Sequence, residues 1–544
     1  MKRWLAKLFG KKSTAKETIE QTVEFPIPWE DHLQSIYHLL APYEPGNDPL
    51  PDGAYTLPDE QSKKEEISWA PGAMDGVFSH HTLGTNNEEV ADKIFDALGK
   101  VLVEPSRENM GELYVLLKNE SPLEYIDALM AKIAQSSSLP AQQLHNLVVW
   151  LAQESPDRQV VKCAIALLSF FPSQRNLMTV MTLGLHDEFT LFSTVAICNT
   201  LTHEARESVL FEMASRVTGW GRIQIIERLP EELSYEGCDW LLREGYINTI
   251  MMDYTALECA TRGQLLTALM KKKVDDELLH SAGELLSTLL NETPVSGISC
   301  YEDGVPACLR YLTLVKQRAT HDITHLLTAH ALREFVEDDD RDWDRLASCG
   351  WNEESRQYVG SEAQAIVSQP KWQEEVSKAL SSHDSELGYP MIEAARVLNI
   401  DPWDALYARQ STSPSTEDSH WHALMKTNNW QRIRRVVALA EKQFDLAAIA
   451  TGPDTQMGFG AAYQQHRELS LILQDLNRFA GVGVSLIKAG LRSPVTNNRN
   501  MALHALEGWP KEDLSAELHA LLIVASEQEP EESVRERLQA LLAK

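Results

Sequence analysis

Residues 155–230 read SPDRQVVKCAIALLSFFPSQRNLMTVMTLGLHDEFTLFSTVAICNTLTHEARESVLFEMASRVTGWGRIQIIERLP, and this stretch decides the fold class. Ser155-Pro156-Asp157 has the chemistry of a helix start: a serine to cap open N–H groups and a proline whose missing N–H costs nothing in the first turn. Val160, Val161, Ala164, Ile165, Leu167, Leu168 and Phe171 then recur at the three- and four-residue spacing of one helix face, up to Pro172. The same signals predict further helices over residues 174–185, after Asp187, from His203 to Val217, and from the Thr218-Gly219-Trp220-Gly221 turn to Pro230. Comparable breaks fall at Ser155, Asp187 and Thr218, 32 and 31 residues apart, with two helices in each interval. A hairpin that short cannot bury its own apolar face and must stack on its neighbours, which is the physical logic of an α-solenoid.

From residue 86 onward helix follows helix, and strand-like alternation is scarce, so the expected class is all-α. The hairpin pattern returns in Asn429-Trp430-Gln431-Arg432-Ile433-Arg434-Arg435-Val436-Val437-Ala438-Leu439-Ala440. It returns again over 489–509, where Ser493-Pro494-Val495-Thr496-Asn497-Asn498-Arg499 leads into Ala502-Leu503-His504-Ala505-Leu506. A proline-bearing turn, an arginine and an Ala-x-x-Ala-Leu run resemble the second helix of a HEAT or armadillo-like repeat. The resemblance covers residues 140–290 and 425–540 and implies a HEAT-like solenoid of stacked helical hairpins. The chain divides accordingly into a basic amphipathic tail (1–20), an N-terminal helix with a proline-rich linker and a Trp/Gly-rich cap (21–85), a first repeat block (86–292), an irregular helical middle (293–425) and a second block (426–544). The middle carries an acidic loop, Glu337-Asp338-Asp339-Asp340.

Two parts of the N-terminal segment carry sharper expectations. Trp29, Leu33, Ile36, Tyr37, Leu39 and Leu40 predict one helix over 29–41. Pro42, Pro45, Gly46, Pro49, Pro51, Gly53 and Pro58 deny helix and ladder alike, so 42–66 should be an exposed linker or a loop draped over the body.

The 544 residues hold 50 Lys+Arg against 79 Asp+Glu, a net charge of −29. Residues 1–16 contribute six positive charges and no acid, which leaves −35 on the rest. That body disfavours nucleic acid, whose phosphates need a basic face, and favours a basic protein or peptide. In the tail, Trp4, Leu5, Leu8 and Phe9 share one helix face, opposite Lys2, Arg3, Lys7, Lys11 and Lys12. Such a segment suits an anionic membrane surface, and alone in water it is too short for a stable helix. The longest apolar runs, such as Leu147-Val148-Val149-Trp150-Leu151, are far too short to span a bilayer, and the tail lacks the cleavage site of a secretory signal. Seven cysteines with no C-x-x-C pair read as reduced thiols, hence a cytoplasmic protein that the tail can bring to the inner face of a membrane.

Few residues suggest chemistry. His321-Asp322-Ile323-Thr324-His325 puts two imidazoles at i, i+4, a metal-ligand spacing, but with Asp in place of the zinc-protease Glu and no third ligand, so no metal or cofactor is expected. Asp75, His80 and His81 lie in the glycine-rich segment Trp69–His81 and are candidates for binding. Against that, Trp69, Met74, Val77 and Phe78 have the composition to cap the open end of the first solenoid helix. Gly458-Phe459-Gly460 and Gly481-Val482-Gly483 lack the flanking pattern of a phosphate loop, and Trp220, Trp240, Trp430 and Trp509 are expected to be packed plugs between hairpins. Three functions are open on these residues. The first is a non-enzymatic scaffold or adaptor binding a protein or peptide on a concave acidic face. The second is a membrane-associated scaffold anchored by residues 1–16, and the third is an enzyme with a site near 69–81 or 321–330.

Overall fold

The computed structural model describes residues 24–30, 32–44, 46, 48–60, 69–81, 87–293, 295–319, 321–382, 388–412, 419–458 and 460–543. Among them lie 30 α-helices and no strand, with one isolated bridge between Gln456 and Val495. None of these helices is long and apolar enough to cross a membrane. The chain forms two compact units, residues 1–320 with 328–366, and residues 321–327 with 367–544.

In the first unit the helices run α1 (Ile36–Leu40), α2 (Ala73–His81), α3 (Glu88–Val103), α4 (Arg107–Asn119), α5 (Pro122–Gln135), α6 (Ala141–Glu154), α7 (Arg158–Leu168) and α8 (Gln174–Leu183). They continue as α9 (Asp187–Thr200), α10 (His203–Ala214), α11 (Trp220–Glu227), α12 (Tyr235–Trp240), α13 (Asp253–Arg262), α14 (Leu265–Leu269), α15 (Asp276–Leu289) and α16 (Gly304–Lys316), with α18 (Trp343–Ser348) and most of α17 (Ile323–Glu337) and α19 (Glu353–Val367) beyond, residues 323–327 and 367 being counted with the second unit. Helices α3, α5, α7, α9, α11, α13 and α15 each pack on the next in that series, while α6, α8 and α10 pack against their sequence neighbours. Burial follows: Val160, Val161, Ala164, Ile165 and Leu168 of α7 are all shut from water.

The second unit contains α20 (Lys371–Ser381), α21 (Tyr389–Val397), α22 (Trp403–Thr412), α23 (Trp421–Met425), α24 (Trp430–Gln443), α25 (Leu446–Ile449), α26 (Gln464–Leu473), α27 (Val484–Leu491), α28 (Thr496–Glu507), α29 (Ala516–Gln528) and α30 (Glu532–Ala543). Here α23, α26, α28 and α30 pack in succession, and α24, α27 and α29 form a second succession. One core of Leu, Ile, Val and Trp side chains runs from Ile392 to Leu541.

Both units repeat one device. The last carbonyls of a helix have no partner within it, and an arginine from later in the chain supplies one. Arg262 donates to Glu227 and Leu229 at the end of α11, and Arg310 to Leu269 at the end of α14. Arg409 donates to Ala379 at the end of α20, and Arg478 to Met425 at the end of α23.

Several expectations need correction. Helix α7 starts at Arg158, not at Ser155, because the Ser155 hydroxyl accepts from the Asp157 N–H and the Asp157 carboxylate is taken by Tyr114 (3.1 Å) and Lys118 (2.8 Å). The 29–41 helix shortens to Ile36–Leu40, since Trp29 is instead stacked on Trp150 at 5.0 Å. Of the tryptophans expected to be packed, Trp220 and Trp509 are buried, but Trp430 is 44% exposed at the first residue of α24 and meets Phe479 edge-on. The proline-rich segment is draped over the body as one alternative had it: Leu50, Ala54 and Leu57 are buried, and the Arg216 guanidinium donates to the carbonyls of Tyr43, Glu44 and Asp48.

Candidate functional site

The segment 69–81 is bound to the first unit by charge and by glycine. Gly72 sits at φ +73, where a Cβ would lie 2.6 Å from the Asp187 carbonyl oxygen, and a Cβ on Gly76 would lie 2.1 Å from the Trp220 ring. Only glycine at these two positions lets α2 come that close to α9 and α11. The Gly72 N–H donates to Glu188 Oε2 at 2.9 Å. One turn on, Asp75 Oδ2 stands 2.7 Å from Lys162 Nζ, and Lys162 reaches Glu188 Oε1 at 2.6 Å. All three side chains are buried, Lys162 at 1% exposure. Ala73 completes the contact in an apolar cluster with Trp220 and Ile223.

Arg158, one turn before Lys162, ties down the preceding strap. Its guanidinium grips Asp59 with two hydrogen bonds of 2.8 and 2.9 Å and Glu60 with a third of 2.6 Å. The geometry therefore sets four carboxylates, Asp59, Glu60, Asp75 and Glu188, against two cations.

The electrostatics divide the two carboxylates that share Lys162. Burial pushes Asp75 up, and Lys162 offsets only part of that. For Glu188 burial also pushes up, but Lys162, Arg158 and the Gly72 N–H outweigh it and hold the carboxyl below its ordinary range. Burial acts to lower Lys162, yet Glu188 and Asp75 overcome it, so the amine is held as an ammonium ion. An ammonium with both neighbours occupied is a clasp and a poor nucleophile. Beside it, burial holds His186 down at about 4, and burial holds Asp187 up at about 6 despite the N–H groups of Gly221 and Gly219.

The structure thus gives Asp75 a structural partner set, and it places His80 and His81 at the end of α2, with their side chains outside the described residues. The tail residues Lys2, Arg3, Trp4, Leu5, Lys7, Leu8, Phe9, Lys11 and Lys12 also lie outside them. His321 and His325 are drawn apart: His321 is exposed and pairs with Glu375 at 2.8 Å, whereas His325 is buried, 3.8 Å from Asp322. No cluster of three or more His, Cys, Asp or Glu side chains able to hold a metal occurs among the described residues. The cap expectation is corrected as well. Helix α2 packs on α9 and α11, not on the first helix of the stack, and Trp69, Met74 and Val77 point outward at 60%, 46% and 41% exposure.

Sequence reasoning did not find Lys162, Glu188 or Arg158. The available signal was Lys162 standing alone inside the apolar run Val160–Leu168, a position where a charge survives only if it is paired. Comparison of the chain with protein-family models, with curated proteins and with solved structures returns no match.

Proposed function

We propose that this protein is a non-enzymatic helical-repeat scaffold, a HEAT-like α-solenoid whose acidic concave face takes up a basic protein or peptide. The observation that carries this is the packing order: α3, α5, α7, α9, α11, α13 and α15 stack in sequence, with intervening helices on their neighbours, so one row of helix faces is extended over many hairpins. Arg262 supports the same reading, since from α13 it caps the end of α11, the preceding member of the row. A body of charge −35 adds attraction and faster encounter for cationic partners.

Capture on the tagged full chain, beside a chain starting at residue 17, followed by mass spectrometry, tests the proposal. The expected partners are rich in Lys and Arg, are kept by both chains, and are released as salt rises toward about 0.5 M, where the screening length falls to a few ångströms. Partners kept only by the chain with its tail, or insensitive to salt, overturn it.

A further inference from the structure

Residues 48–60, which read DPLPDGAYTLPDE, are seated on the first unit by contacts of a kind that bind peptides. Three prolines withhold N–H groups, and the segment has no helix beyond single tight turns at Asp52–Ala54 and Pro58–Glu60. It carries four acids and no Lys or Arg. A stretch of that composition builds no core of its own, so the surface beneath it holds it in place.

Three side chains of the body do so, in order along the segment. Arg216, just past the end of α10, donates to the Asp48 carbonyl at 3.3 Å and to those of Tyr43 and Glu44 at 2.7 and 3.1 Å. His186, at the start of α9, accepts from the Glu188 N–H through Nδ1 at 3.2 Å, which leaves the proton on Nε2, and Nε2 donates to the Tyr55 carbonyl at 3.3 Å. Arg158, the first residue of α7, holds both oxygens of Asp59 and one of Glu60, and its main-chain N–H adds a contact to Asp59 at 3.3 Å. Between these polar holds Leu50, Ala54 and Leu57 are buried.

We propose that this face is a recognition site for acidic, proline-bearing extended peptides, and that residues 48–60 are its built-in occupant, displaced by a partner's peptide of the same pattern: a leucine, a second leucine seven residues on, and two adjacent acids beginning two residues beyond that. Two features select such a ligand. Arg216 and His186 spend their donors on main-chain carbonyls, so the occupant is a polypeptide. The Arg158 fork matches the plane of a carboxylate, so the far end of that polypeptide is acidic. The site goes beyond the acidic face proposed above, whose ligand is basic, and the two stand or fall separately. Held in the same chain, the segment competes at an effective concentration of the order of millimolar, so the face stays closed until a partner offers a tighter-binding copy.

Fluorescence anisotropy of a labelled peptide with the sequence of residues 48–60 tests the proposal. It is read on the full chain, on its Asp59→Ala/Glu60→Ala variant, which loosens the built-in segment, and on that variant with Arg158→Ala added, which removes the hold as well. Matching far-UV circular dichroism verifies that each is folded. The loosened chain should bind the peptide at least tenfold more tightly than the parent, Arg158→Ala should abolish most of that gain, and a peptide with Lys in place of the four acids should not bind. A second readout needs no variant: several millimolar of the unlabelled peptide should speed hydrogen exchange of residues 48–60 in the parent chain at least threefold, followed on longer digest fragments that differ in mass from the added peptide. Equal affinity in parent and loosened chain, or unchanged exchange in the parent, overturns the proposal. So does binding indifferent to Arg158, or tighter binding of the lysine peptide, which would assign the peptide to the acidic face.

Discussion

Arg499 in α28 and Glu529 at the end of α29, 30 residues apart, meet through two parallel hydrogen bonds of 2.7 Å with both side chains only 1% exposed. The remaining donor of Arg499 serves the carbonyls of Ser493 and Pro494, so the guanidinium closes the turn before α28 as it joins that turn to the one before α30. Removing one partner strands a buried charge, at a cost of about 3–5 kcal/mol, whereas replacing both with apolar side chains leaves no such orphan. Arg499→Met should therefore lower the urea midpoint sharply, and adding Glu529→Leu should restore part of the loss. A double variant weaker than the single one contradicts this account.

The clasp under α2 makes the same argument with an odd number of charges. Lys162→Met leaves Asp75 and Glu188 buried face to face with no ammonium between them. Chemical denaturation should show a loss of about 3–5 kcal/mol, and proteolysis should cut the 61–86 region first. Asp75→Asn is the milder change, since the burial that raises Asp75 favours a neutral group there. A larger loss for Asp75→Asn than for Lys162→Met would refute the clasp.

Steric contact is tested separately from charge by Gly76→Ala. Its methyl would lie 2.1 Å from Trp220 Cε3, on a ring that is itself buried, so α2 must lift away. Tryptophan emission should shift to the red, and stability should fall by about 1–3 kcal/mol. An unshifted spectrum with full stability would show that α2 does not pack on Trp220.

Acid should act on two adjacent residues in opposite directions. His186 has a folded pKa of about 4 against an ordinary 6.5, so the unfolded chain takes its proton first and stability is lost as pH falls from 6.5 toward 4. Asp187 has a folded pKa of about 6 against an ordinary 3.8, so the fold takes the proton first and stability is gained as pH falls from 6 toward 4. Each contribution is of the order of 3 kcal/mol, and they offset. Asp187→Asn keeps the acceptor for the Gly221 N–H but removes the compensation, so its urea midpoint should fall more steeply between pH 6 and 4 than that of the parent. Parallel pH profiles for the two proteins would disprove the opposition.

Helical periodicity was legible because each helix repeats the same demand: Val160, Val161, Ala164, Ile165 and Leu168 announce a buried face whatever covers it. Turn signals set the boundaries near Gln174, Asp187, His203 and Trp220 to within a residue or two. What failed was whatever depends on a distant partner. Ser155 looks like a cap until Tyr114 and Lys118 claim Asp157, and Trp430 looks like a plug although its position opens its ring to water. At the candidate site, Gly72, Asp75 and Gly76 stood out as an unusual cluster, yet the cations that explain them lie more than 80 residues away on α7. Local pattern cannot supply a pairing of that range.

The arginines that reach back to Leu229, Leu269, Ala379 and Met425 share one direction along the chain. Every one of these ties runs from a later residue to an earlier helix end, through a single side chain. Because synthesis runs from the N-terminus, each of these helix ends emerges before the arginine that completes it, so those carbonyls wait on a segment made later.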